Sequence, residues 1–179
     1  PRPTEAPKEK IQKYRDIADT DPHVGEGIDI LVDYLVGSGF NIDPANVPYT
    51  DTEQSNEDIA PFKLLIEMSP FDVRLQEWVK TTLIDGTGFL EVVVEDDVFK
   101  PKLLPTERML IQKDEQDNIV GYEMEVPGER DNVEFGPFDI AVLYFHKHPG
   151  EDFGHSVIQK CEEQEIGRAS CRERVYTKV

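Results

Sequence analysis

The chain has 179 residues, enough for one hydrophobic core or a core with a small appendage, which argues against an elaborate multidomain enzyme. Its 37 Asp and Glu against 19 Lys and Arg give a formal charge of -18, the wrong balance for a protein that grips phosphates through a basic face. No stretch approaches the roughly 20 apolar residues of a membrane span, so no membrane partner is expected. The two cysteines, Cys161 and Cys171, are too few and too late to staple a small scaffold or fill a four-ligand zinc site, and read as free thiols.

Residues 1–10 are rich in Pro, Thr, Glu and Lys and read as a flexible lead-in with little to bury. Pro1 in place of Met, and a last residue, Val179, that closes no recognisable element, suggest cut edges of something longer. Ile11, Tyr14, Ile17 and Ala18 share one face of a short helix ending at Asp19 to Asp21. Asp21 with Pro22 opens a second helix, because a carboxylate can cap free amides and proline costs nothing in a first turn. Ile28, Leu31, Val32, Leu35 and Val36 form its apolar face, Gly37 and Gly39 stop it, and Phe40 and Ile42 restart an apolar segment.

Residues 43–55 are polar and read as a solvated loop. Ser55 and Asp58 resemble a capping box for a helix carrying Ile59, Phe62, Leu65 and Ile66, interrupted by Ser69 and Pro70. Leu75, Trp78, Val79 and Leu83 predict a further helix that runs out at Asp85 and Gly86. After Gly88 the period changes to two, with Leu90, Val92 and Val94 facing one way and Phe89, Glu91, Val93 and Glu95 the other. Strands follow near 99–104, 107–113, 119–126 and 139–146, with Asp114 to Asn118 as a hairpin connection. Helices first and consecutive strands afterwards predict an α+β fold: N-terminal amphipathic helices followed by a largely antiparallel sheet.

Motifs with chemical potential are few. His146, His148 and His155 lie near Asp152, and imidazoles beside a carboxylate can hold a transition metal. Their spacing is that of a strand end running through Pro149, Gly150 and Gly154 into a turn, so no metal is assigned. Gly86-Thr87-Gly88 precedes a strand instead of following one, unlike a phosphate-cradling loop. Gly154-His155-Ser156 lacks the second glycine of a hydrolase elbow. Glu95, Asp96 and Asp97, like Asp114, Glu115 and Asp117, lack EF-hand grammar and read as solvated turns. Composition and motifs thus give an acidic α+β domain with no evident catalytic residues or cofactor.

Across about residues 11–164 the order of motifs resembles that of tailed-phage portal proteins, the head-to-tail connectors. Asp21-Pro22-His23-Val24 through Val36-Gly37-Ser38-Gly39-Phe40 resembles the portal helix that closes on a Val-Gly-x-Gly-Phe turn. Leu83 to Val92, with Gly86, Gly88 and Glu91, resembles the family's helix, glycine turn and Glu-Val strand. Leu103-Leu104-Pro105 and Asn118-Ile119-Val120-Gly121-Tyr122 follow in the same order. Asp139-Ile140, His146 and Phe153-Gly154-His155-Ser156-Val157-Ile158 look like the family's strand, His, and Gly-x-Ser opening a helix.

The resemblance implies an N-terminal wing-region fragment of a ring subunit, commonly a dodecamer, at one capsid vertex. Its implied partners are further copies of itself, the terminase motor, capsid and head-tail adaptor proteins, and double-stranded DNA passing non-specifically through the channel for packaging and ejection. It implies a structural, non-enzymatic role, in the virion and, during assembly, the host cytoplasm. An acidic surface fits a passage in which DNA slides without sticking, and also a saline environment. The stem helices and terminase-contacting clip of a complete member would follow Ser156.

Glu165 to Val175 looks like a translated vector or adapter stretch, so residues 165–179 are set aside as non-native. Arg168, Arg172, Arg174 and Lys178 against Glu173 make residues 166–179 basic in an acidic chain. Two alternatives stand beside the portal reading. One is a metal-dependent hydrolase using His146, His148, Asp152 and His155, and the other a generic α+β adaptor module.

Overall fold

The computed structural model describes residues 2–39, 60, 61, 63, 64, 66–95, 98–159 and 161. Phe40, the 43–55 loop, the Ser55–Asp58 box with Ile59, Phe62 and Leu65, Asp96, Asp97 and the 165–179 tail lie outside the described residues.

The elements run β1 (Arg2–Glu5), α1 (Lys8–Thr20), α2 (Pro22–Val36), α3 (Phe71–Asp85), β2 (Thr87–Glu95), β3 (Val98–Leu104), a 3-10 turn (Thr106–Arg108), β4 (Met109–Lys113), β5 (Ile119–Met124), β6 (Val133–Phe135) and β7 (Ile140–Tyr144). The α+β class is as expected, with every strand pair antiparallel. Among the described residues there are two sheets instead of one, ordered β1-β4-β5-β6 and β3-β2-β7. Among the described residues no helix is long and apolar enough to cross a membrane.

The lead-in is the first correction. Arg2–Glu5 pair with β4, from Arg2 opposite Lys113 to Glu5 opposite Leu110, and α1 starts at Lys8. Pro3 is tolerated because β1 is an edge strand, and Pro101 sits in another edge strand, β3.

Asp21 caps α2 as predicted, its Oδ1 accepting from the backbone N–H of His23 at 2.9 Å. Gly37 N–H donates to Asp33 O and Gly39, with φ +74°, donates to Val36 O, which ends the helix where the glycines stand. Ile28 and Val32 of α2 join Tyr14, Val79, Leu83 and Ile158 in a helical core. Leu31 and Leu35, expected on the same face, are instead 39% and 55% exposed and lie beside Ile30 and Tyr34 at 64% and 86%. The apolar arc of α2 is wider than α1 and α3 can cover.

A second core lies between the sheets, built from Phe89, Leu104, Met109, Ile111, Tyr122 and Ile140. Phe89 meets Tyr122 and Phe153 edge-on at 5.9 and 6.2 Å, the arrangement aromatic quadrupoles favour. Truncating this fully buried ring to alanine would cost about 3–5 kcal/mol.

The alternation read along β2 holds only in part. Both faces are buried from Thr87 to Leu90, whereas Val92 and Val94 are 42% and 56% exposed. The base of the β2–β3 hairpin is covered on both sides, whereas Val92 and Val94 belong to neither core.

Candidate functional site

The motif positions converge where α3 meets β2 and the segment after β7. Gly86 ends α3 at φ +85°, a left-handed conformation that favours glycine. Its N–H donates to Thr82 O at 2.8 Å, and its carbonyl accepts from Phe145 N–H at 2.8 Å. A Cβ on Gly154 would run into the carbonyls of Gly86 and Phe145, and one on Gly86 into Gly154. The two glycines therefore let two backbone segments touch.

Thr87, fully buried, holds the contact from both ends: Oγ1 accepts from Gly154 N–H at 2.8 Å and its carbonyl accepts from Thr106 Oγ1 at 2.9 Å. Ser156 Oγ donates to Leu83 O at 3.3 Å and accepts from Ile158 N–H at 3.1 Å. Residues 157–159 are helical, so this serine caps the element it opens. Buried and engaged on both sides, its hydroxyl is a structural pin and not an exposed nucleophile. A Cβ on Gly88 would lie 2.7 Å from Trp78 Cδ1, so that glycine makes room for the indole.

The remaining motif positions are structural as well. Glu91 faces Lys102 across the β2–β3 ladder at 3.6 Å. Pro105 leads into the 3-10 turn, its carbonyl accepting from Arg108 N–H. Gly121 lies opposite Gln112 beside a register shift in β4, where a Cβ would meet Phe135 O at 2.9 Å.

A charged cluster that the sequence does not announce locks the helices to the sheets. Arg15 donates Nε and Nη2 to the two Asp85 oxygens at 3.0 and 2.6 Å, and Nη2 also to Glu107 at 2.8 Å. Burial pushes the Asp85 carboxyl above its ordinary value despite Arg15. Burial acts the same way on Glu107, but there the Arg15 hydrogen bond and charge prevail and hold the carboxyl below its usual range. The difference follows enclosure: the Asp85 side chain is 1% exposed and that of Glu107 28%.

The histidines end up close, but not as a strand face. β7 stops at Tyr144, and His146 takes φ +52°, a left-handed turn that ends the extended run. Even so, the His146 and His148 rings lie 5.5 Å apart and those of His148 and His155 5.2 Å. Asp152 is not their partner: it pairs with Lys113. Burial would raise its carboxyl, but hydrogen bonds from Lys113 and Thr4 hold it low. The carboxylate against the histidines belongs to Glu151, 2.7 Å from His155 Nε2. Its i, i+4 spacing to His155 was the available signal.

Among the described residues two buried polar atoms lack a partner, Trp78 Nε1 and the Tyr144 hydroxyl. Burial, followed by the nearby Tyr122 and Asp152 charges, pushes the Tyr144 phenol up to about 12.

No protein-family model matches the sequence, and no curated protein matches it. Among solved structures the chain is similar to one from the neck of an empty gene transfer agent particle computed with C6 symmetry, at 19% identity and TM-score 0.67, covering 99% of this chain and 49% of that one. It is also similar to a chain from the neck of the native particle computed with C12 symmetry, at 18% identity and TM-score 0.63, over 99% and 47% of the two chains. A chain from the virion of the native gene transfer agent particle gives 17% identity and TM-score 0.64, with 99% and 47% coverage. These likenesses establish the fold over nearly the whole chain, which spans about half the length of the chains it matches.

Proposed function

We propose that this chain is the wing-region part of a portal-type ring subunit, a structural component of a phage-like particle that lines a channel for DNA at the head-to-tail junction. The observation that carries the reading is the fold likeness over 99% of the chain to a chain from a particle neck computed with C12 symmetry. It agrees with the order of portal-like motifs, in which Gly86, Gly88, Gly154 and Ser156 make a structural junction and no catalytic group.

Two further features support the reading. The stripe Ile30, Leu31, Tyr34 and Leu35, exposed among the described residues, gives α2 an apolar face suited to a neighbouring subunit. The formal charge of -18 leaves few cations to hold a duplex, so DNA slides through without sequence preference. In this reading the subunit forms a dodecamer with further copies of itself, and the longer chain meets the terminase, the capsid and the head-tail adaptor.

The test is to sequence the native gene past Gln164, express the complete product and image it by electron microscopy. Annular particles from a gene that continues into long helices are expected. A gene ending near Val179 whose product gives no rings would overturn the proposal.

A further inference from the structure

We propose that His148, Glu151 and His155 form a site for a single transition-metal ion of the zinc class, which ties the loop after β7 to the start of the last described helix. One ligand atom from each residue lies within 4.8 Å of the other two. Glu151 Oε2 stands 2.7 Å from His155 Nε2 and accepts the backbone N–H of His148 at 3.2 Å, so the carboxylate is already turned toward both histidines. Ligand atoms around a tetrahedral zinc lie about 3.3 Å apart, as its bond lengths of roughly 2.0–2.2 Å require. That separation falls between the observed 2.7 Å contact and the 4.8 Å bound. His148 is exposed and Glu151 half-exposed, so both side chains have room to rotate toward it.

The second contact of His155 strengthens the assignment. Its Nδ1 lies 3.1 Å from Gln159 Oε1, one helical turn on. With Nδ1–H donating to that amide oxygen, Nε2 presents a lone pair toward the Glu151 oxygen. In that tautomer a metal ion taken up between Nε2 and the Glu151 oxygen replaces the proton that otherwise bridges them at 2.7 Å. A ligating histidine whose other nitrogen is held by an oxygen is the usual support around such ions, because it fixes the tautomer and aims the ring. The backbone is fixed too: His155 N–H donates to Phe145 O at 2.8 Å, and the adjacent Gly154 is held by Thr87.

Two imidazoles with one carboxylate select zinc-like ions over calcium or magnesium, which prefer all-oxygen shells. Asp152 is committed to Lys113 and stays outside the set. Nothing in the argument depends on ring assembly, so a monomer that binds zinc would leave this proposal intact while removing the portal reading.

The test is calorimetric titration of the full chain, without a histidine tag, with zinc chloride, and visible spectroscopy with cobalt chloride. One zinc per chain, tetrahedral cobalt bands and a zinc-dependent rise in melting temperature are expected. His148→Ala and His155→Ala should abolish all three signals while leaving the far-ultraviolet circular dichroism unchanged. Gln159→Ala should weaken binding by about ten- to a hundredfold. Absence of saturable binding by the native chain, or stoichiometric binding that survives His148→Ala with His155→Ala, would overturn the proposal, the latter pointing to the cysteines.

Discussion

Arg15 grips Asp85 with two parallel hydrogen bonds of 3.0 and 2.6 Å across the end of α3, and the carboxylate it holds is 1% exposed. The pair joins α1 to the turn from which β2 departs, with Glu107 as a third member. Removing only the cation strands a buried charge, whereas removing both partners does not. Arg15→Met should therefore cost about 3 kcal/mol, at the low end for a buried pair because Arg15 is itself 30% exposed. Arg15→Met combined with Asp85→Asn should cost clearly less, and urea unfolding of the two singles and the double measures the coupling. Simple additivity would show that the fork contributes no coupling.

Two glycines should respond oppositely to alanine. At Gly154 the new methyl meets the Gly86 and Phe145 carbonyls, so the hydrogen bonds to Thr87 and between His155 and Phe145 must shift. A loss of roughly 2 kcal/mol or more is expected, typical of a forced clash. Gly27, inside α2, has nothing within 4 Å of a new Cβ. There Gly27→Ala should add about 0.5–1 kcal/mol through helix propensity alone. Thermal melts of both variants decide the matter, and equal effects would contradict the packing described at the junction.

Acid should weaken the fold in part through Glu107. Its carboxyl is held below its ordinary value of 4.5, so the folded state binds that proton less readily than the unfolded chain. The stabilisation is complete above 4.5 and is lost as pH falls through the lower folded value. Asp85, shifted upward, works in the opposite sense, gaining relative stability as it protonates. Glu107→Gln should therefore flatten the acid limb of stability as pH falls below 4.5, leaving the Asp85 contribution. Unfolding midpoints that fall as steeply in the variant as in the parent would refute the assignment.

If the α2 stripe is a contact between subunits, Tyr34→Glu and Leu35→Glu should leave monomer stability within about 0.5 kcal/mol, as exposed substitutions do. Both should disrupt the assembly of the complete protein. Sedimentation velocity of the complete variants would read the change, and unaltered oligomers would free α2 from that role.

Helices α2 and α3 were legible because their signals are local: Asp21 and Pro22 at one start, Gly37 and Gly86 at the two ends. The change of period at Gly88 marks the start of the sheet, and the run of consecutive strands after the helices gives its antiparallel class. What escaped was set by partners distant in sequence. Arg2–Glu5 becomes a strand only because β4 offers an edge, and no local propensity marks it. β6 has three residues, too few for alternation to show. Leu31 and Leu35 have the right spacing for the core, but spacing cannot reveal that no described element covers them. At the histidines the residue types were visible and the carboxylate was mistaken, because Lys113 takes Asp152 and leaves Glu151 to face the rings.

The central claim, a ring-forming subunit, is tested most directly by the mass of the complete gene product in light scattering. The account predicts a discrete oligomer near twelve times the chain mass, as the proposed dodecamer requires. A monomer at every concentration would contradict it.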